Sequence, residues 1–213
     1  KKTKGAPLGM YTIHHTRDMA RMEEGRIARN PWEKDYTPDA RFYVGWTEDA
    51  LHVFLRAYET DPVADVTERN GNVCCDSCLE FFFSPSADCS NGYFNFEMNA
   101  NPTLLLHYGL RSRVGRECVD WPLEAFCLTC TRGADADGAY WQTSFRVPVE
   151  MLQKYIPDAE LYAGKLIRAN VYKCGSTRQP AHFMTWAHFD TREVPHPDFH
   201  QPKYFGQMVL AED

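Results

Sequence analysis

Residues 93–101 read YFNFEMNAN. Phe94, Phe96, Met98 and Ala100 alternate with Asn95, Glu97, Asn99 and Asn101. Successive side chains of a strand point to opposite faces, so one face is apolar and the other carries amides and a carboxylate. An ordinary solvated strand face carries Lys, Glu, Thr or Ser. Short, stiff amides beside a glutamate offer paired donors and acceptors, which suits a ligand rich in hydroxyl groups. Asn101 precedes Pro102 and reads as a turn residue, so Asn95, Glu97 and Asn99 form the strip. Further along, Arg168, Asn170 and Tyr172 share a face opposite Ile167, Ala169 and Val171. Glu80 shares its own face with Cys78 and Phe82. If these faces line one sheet, a polar groove results, with Arg178 closing one end. Each face taken singly also reads as the wet outer side of an antiparallel sheet.

Other chemistries are weaker. Cys75-Asp-Ser-Cys78 and Cys127-Leu-Thr-Cys130 have the spacing of a four-thiolate zinc site. Positions i and i+3 of a strand point to opposite faces, however, and neither pair is followed by a knuckle glycine. A haem would need an axial pair drawn from Met98, His107, Met184 and His188, and no C-x-x-C-H is present. Asp135 and Asp137 in GADADG fit a calcium loop or an ordinary turn. No cofactor and no metal are therefore expected. There is no G-x-S-x-G, H-E-x-x-H or Walker loop. Glu80 and Glu97 could pair as glycosidase carboxyls on neighbouring strands. Their amide surroundings suit ligand fixing, since nothing in the sequence raises a carboxyl pKa. No catalytic residue is assigned.

These residues need a scaffold of strands. Short apolar runs recur between turn signals from residue 41 onwards, at 41–46, 51–58, 78–83, 93–100, 103–111, 126–131, 140–147, 166–174, 183–189 and 203–210. Residues 148–155 read as a short helix with Pro148 in its first turn. The pattern predicts an all-β fold, an antiparallel β-sandwich of about ten strands with one short helix. Residues 1–40 are polar, with a weak helical period over 17–29. They read as an N-terminal extension packed on or flanking a domain over 41–213. The chain has 213 residues, 44% of them hydrophobic and 14% aromatic, enough for one sizeable core.

A net charge of −6, with no Lys/Arg cluster beyond residues 1–4, argues against a nucleic-acid partner. Runs such as 104–106 are far too short to span a bilayer, so no membrane partner is expected. The eight cysteines include the awkward neighbours Cys74 and Cys75. Reduced thiols in a cytoplasm are expected rather than secretion.

Several segments together resemble the family 9-like carbohydrate-binding modules, within the DOMON-type β-sandwich group. In order they are DSCLEFFF, YFNFEMN, AYWQTSFRVPVEML, IRANVYKCG, TWAHFD and HQPKYFGQMVL, and the resemblance spans residues 42–210. The ending from Phe199 to Gly206 is the most specific piece. The resemblance implies a jelly-roll-like sandwich that binds a mono- or oligosaccharide without cleaving it, and a glycoside hydrolase acting in trans as a candidate partner. It implies that Glu80, Asn170 and Arg168 fix hydroxyls and that Trp186 is the stacking platform. The family's second stacking tryptophan would lie shortly before Glu80, but residues 70–78 contain no aromatic residue. Related DOMON domains bind haem instead, so a haem domain and a glycan-active hydrolase are the alternatives.

Overall fold

The structure, a computed structural model, describes residues 10–212. Its strands are β1 (Met10–His15), β2 (Gly25–Arg26), β3 (Ala40–Thr47), β4 (Ala50–Ala57), β5 (Cys78–Ser84), β6 (Tyr93–Met98) and β7 (Leu104–Gly109). They continue as β8 (Glu117–Cys118), β9 (Thr129–Asp135), β10 (Gly138–Pro148), β11 (Leu166–Gly175), β12 (His182–Thr185) and β13 (Gly206–Leu210). The helix α1 (Val149–Tyr155) follows β10 directly. Strand order is β8-β7-β6-β5-β11-β13-β1-β3-β4-β10-β9, with β12 added to β11 and β2 to β3.

This curled sheet closes over one apolar core as a β-sandwich. Strand β1 makes the corner. Met10–Ile13 pair with β13, then His14 and His15 pair with β3. Both pairings are parallel, so the sandwich is not wholly antiparallel as expected. Residues 10–40 are not an appendage either. They supply β1, inserted between β13 and β3, and β2 at the flank of β3. The pattern was illegible because β1 carries two histidines and β2 is two residues long. The expected helical stretch is a single turn, Met19–Arg21, capped where Asp18 accepts from the Ala20 amide at 3.0 Å.

Strand alternation sorts the side chains. Leu79, Phe81 and Phe83 of β5 and Phe94, Phe96 and Met98 of β6 enter the core with Ile167, Ala169 and Val171 of β11. Each fully buried phenylalanine contributes roughly 1.5–3 kcal/mol of transfer free energy. Trp46 and Trp141 are core residues too. Three strand ends differ from expectation. Leu123–Phe126 is a 3-10 turn ended by Cys127 in the left-handed region, so β9 begins at Thr129. Strand β12 stops at Thr185, whose hydroxyl donates to the Ala187 carbonyl at 2.7 Å and turns the chain away. Lys203 lies in another 3-10 turn, and β13 starts at Gly206. A Cβ at Gly206 would meet the Trp186 ring at 2.6 Å, which explains glycine in the Phe199–Gly206 ending.

Outside the core face, residues 186–205 cross over β5, β6 and β11. Phe189, Val194, Phe199 and Phe205 pack there with Val73, Phe82, Tyr93 and Tyr172 as a second apolar cluster. This second layer turns an outer sheet face into the floor of a cavity.

Candidate functional site

The floor follows from register. Glu80 of β5 lies opposite Glu97 of β6 on one side and Tyr172 of β11 on the other. One step along, Phe82 lies between Asn95 and Asn170, and in the other direction Cys78 faces Cys174. The polar faces anticipated on β5, β6 and β11 are therefore one continuous face. A cavity of about 230 Å³ opens on it. That is below the roughly 300–1,000 Å³ of pockets for drug-sized ligands, a size suited to one sugar ring. Glu80 and Glu97 line it, with Phe82, Phe183, Phe199 and His200 as walls. Cys74, Cys75 and Cys174 line one side and Arg113 stands at the rim.

The carboxyls are held differently. Glu97 Oε1 accepts from Asn95 Nδ2 at 2.9 Å. The Asn95 carbonyl in turn accepts from Arg116 Nε and Nη2 at 3.0 and 2.7 Å. Arg116 is fixed by stacking on the Tyr93 ring at 3.9 Å and by donating to the Tyr93 carbonyl. Glu80 Oε1 accepts from the Cys174 thiol at 3.1 Å, while Glu80 Oε2 is buried without a partner. Burial, with Cys174 and Glu97 nearby, pushes the Glu80 carboxyl well above the usual range. Burial pushes Glu97 up to about 7, against the lowering effect of Asn95, Arg113 and Arg116. The sequence carried no sign of raised carboxyls. Their cause is the second layer, which removes water from the sheet face. A protonated carboxyl offers one donor and one acceptor, and an ionised one accepts twice, so the pair can meet vicinal hydroxyls in either sense. His200 shares a hydrogen bond with Tyr93 Oη at 2.9 Å, and burial followed by Arg116 pushes it down to about 3.

The other expected site residues do not line this cavity. Asn99 donates to the Val66 carbonyl and to Asp76, and accepts from the Asn101 and Thr103 amides. Asn170 Oδ1 accepts from the Val171 and Ala187 amides. Arg168 donates to the Phe205 carbonyl, tying β11 to the loop over the sheet. Arg178 is exposed and paired with Asp65 at 2.6 Å. Trp186 packs edge-on against Tyr11 and Phe42 and does not line the cavity.

Arg116, His200, Phe183, Cys74 and Cys174 were not expected at the site. Phe199 and His200 did lie inside the ending that carried the family resemblance, which is the one signal that could have found them.

The two C-x-x-C pairs do not assemble. Cys75 and Cys78 flank the start of β5, whereas Cys127 and Cys130 lie at β9 on the far edge of the sheet. Among the described residues, Cys78, Glu80 and Cys174 instead bring ligating atoms within 4.8 Å of one another. Met98 and Met184 point into the core, while His107 pairs on the opposite face with Cys118 and His188 is exposed. No axial haem pair arises from them. Asp135 and Asp137 are engaged by Arg56 and Arg41, the wrong neighbours for a calcium ion.

Comparison with known proteins agrees with this architecture. A candidate carbohydrate-binding protein of Bacteroides uniformis ATCC 8492 superposes with a TM-score of 0.75 at 22% identity, covering 95% of this chain and 99% of that one. A family 9 carbohydrate-binding module of Caldicellulosiruptor kristjanssonii in complex with cellotriose gives 0.61 at 12% identity over 96% and 94%. A family 9 module of the same organism in complex with glucose gives 0.59 at 13% identity over 96% and 97%. At these identities the likeness is one of fold. No curated protein sequence matches significantly. The sequence profile of carbohydrate-binding family 9 matches residues 12–210, nearly the whole described chain, and the chain belongs to that family.

Proposed function

We propose that the cavity over Glu80 and Glu97 binds a single sugar ring, free or at the end of a chain, without cleaving it. The carrying observation is the combination of two side-by-side carboxyls on the floor with aromatic walls around them. Hydroxyls meet the carboxyls, and the C–H face of a pyranose packs on an aromatic ring. Phe183 supplies that ring. It is half-buried and lines the cavity, whereas Phe199 already stacks face-on with Tyr172 at 4.0 Å. Asn95 and Arg116 act through Glu97 by fixing its carboxylate, so they are positioning residues.

The same geometry disfavours hydrolysis. Glycoside cleavage needs two carboxyls flanking the scissile bond. Glu80 and Glu97 rise together from neighbouring strands, so a bound ring would meet both on one face. Titration calorimetry with a panel of mono- and oligosaccharides tests the proposal. At least one sugar is expected to bind, with Glu97→Ala or Phe183→Ala weakening it tenfold or more. No heat from any sugar at millimolar concentration sinks the proposal. Release of reducing sugar from a glycan sinks its non-catalytic half.

A further inference from the structure

We propose that Cys78, Cys174 and Glu80 form a binding site for a zinc-like divalent cation at the side of this cavity. The site does not rest on the sugar proposal, which is tested through Glu97 and Phe183. Sheet register builds it. Cys78 and Cys174 oppose each other on β5 and β11, and Glu80 is two residues from Cys78 on the same face. Their ligating atoms lie within 4.8 Å of one another, and Cys174 Sγ is already 3.1 Å from Glu80 Oε1. With metal–sulfur bonds of about 2.3 Å and metal–oxygen bonds of about 2.0–2.2 Å, a tetrahedral ion requires only small side-chain rotations to close on these atoms.

The chemistry of the donor set selects the ion. Two sulfurs and one carboxylate oxygen suit zinc and similar borderline-soft cations, and do not suit calcium or magnesium. An independent observation points to a missing ligand. Glu80 Oε2 is buried and has no hydrogen-bond partner. Most buried polar atoms have one. The hydrogen-bonded arginines nearby are committed elsewhere: Arg116 to Asn95 and Tyr93, Arg113 to Asp198. Binding releases the two thiol protons and any proton on the Glu80 carboxyl, and two thiolates, one carboxylate and a divalent ion carry one net negative charge. Metal affinity therefore rises with pH. An access route exists, because Glu80 and Cys174 both line the cavity. Cys74 and Cys75 line the same cavity, so a thiol of either or a water would complete the coordination.

Cobalt(II) titration of the full chain, stripped with chelator and kept reduced without thiols, reads the site. One equivalent should bind with a near-ultraviolet thiolate-to-cobalt band and the strong visible bands of a tetrahedral ion, both displaced by one equivalent of zinc. Cys78→Ser and Cys174→Ser should each weaken binding at least tenfold. Glu80→Gln should weaken it as much while keeping the thiolate band. Cys127→Ser, an exposed thiol outside the cluster, should change nothing. Absence of a one-to-one thiolate band in the unaltered chain overturns the proposal, whatever the variants do. So does a band that survives the double change of Cys78 and Cys174, or one that is lost in Cys127→Ser.

Discussion

Lys173 and Cys174 are consecutive residues of β11 and open onto two buried polar regions on opposite faces of the sheet. On the inner side, Lys173 Nζ meets Glu59 Oε1 at 3.3 Å, His182 Nε2 at 2.7 Å and the Cys174 carbonyl at 3.1 Å. Glu59 also accepts from Tyr36 Oη and Trp141 Nε1, and His182 Nδ1 meets the Pro180 carbonyl. Every donor and acceptor there has a partner. On the outer side, Glu80 receives only a thiol, and its second oxygen receives nothing. Both regions remove ionisable groups from water. Satisfied groups hold the two sheets together, and unsatisfied ones are left for a ligand. A buried polar group thus marks function by what it lacks.

The largest test of this contrast is Lys173→Met. It strands the Glu59 carboxylate and should cost on the order of 3–5 kcal/mol in urea unfolding, with much of the loss recovered when Glu59→Met is added. A loss below about 1 kcal/mol would remove the distinction between the two regions.

Next is Glu97→Gln, which should stabilise the protein at pH 8. The folded-state pKa is raised from 4.5 to about 7, so the folded state holds the extra proton between those values. Stability therefore falls as pH rises from about 4.5 to about 7 and stays low above it. The glutamine removes that loss, on the order of 2–3 kcal/mol at pH 8 and little at pH 4. His182 works in the opposite direction. Burial, then Lys173, lowers it from 6.5 to about 4, so the neutral ring's contribution is lost as pH falls through that window. Unfolding followed from pH 4 to 8 separates the two slopes, and a flat Glu97→Gln difference contradicts the assignment.

Trp186→Ala should lose about 2 kcal/mol of packing against Tyr11 and Phe42 while sugar affinity persists. Loss of binding with intact stability would move the platform back to Trp186. The smallest effect belongs to Arg178→Ala, which should change neither thermal stability nor sugar binding, because its ion pair with Asp65 is solvent-exposed.

Much of the sheet was legible because its strands obey period two. The alternation in residues 93–98 and 166–174 assigned inner and outer faces correctly. Glu80 and Glu97 were legible as polar residues on such strands. Asn99 and Arg168 looked equivalent to them, but both are engaged by backbone groups of crossing loops that the sequence does not position. Asn170 is engaged only through Oδ1, and its Nδ2 is buried without a partner, as Glu80 Oε2 is. Trp186 was oriented from a strand that the structure ends sooner. The strand expected through 189 ends at Thr185, so the alternation used to orient the tryptophan had already stopped. Strand β1 was missed because a parallel corner strand, half in each sheet, lacks the hydrophobic alternation of a central one.

By itself, then, the sequence determined most of the central strands, which way their side chains face and that the chain belongs with carbohydrate-binding sandwiches. These follow from local periodicity and from motifs that survive in one dimension. Only the tertiary structure decided that Cys174 meets Cys78, that Arg116 reaches Asn95, and that residues 186–205 roof the polar face. Register and loop crossing set those contacts between residues up to about a hundred positions apart. The same burial that raises the two carboxyls is a property of that roof, and no single strand could have announced it.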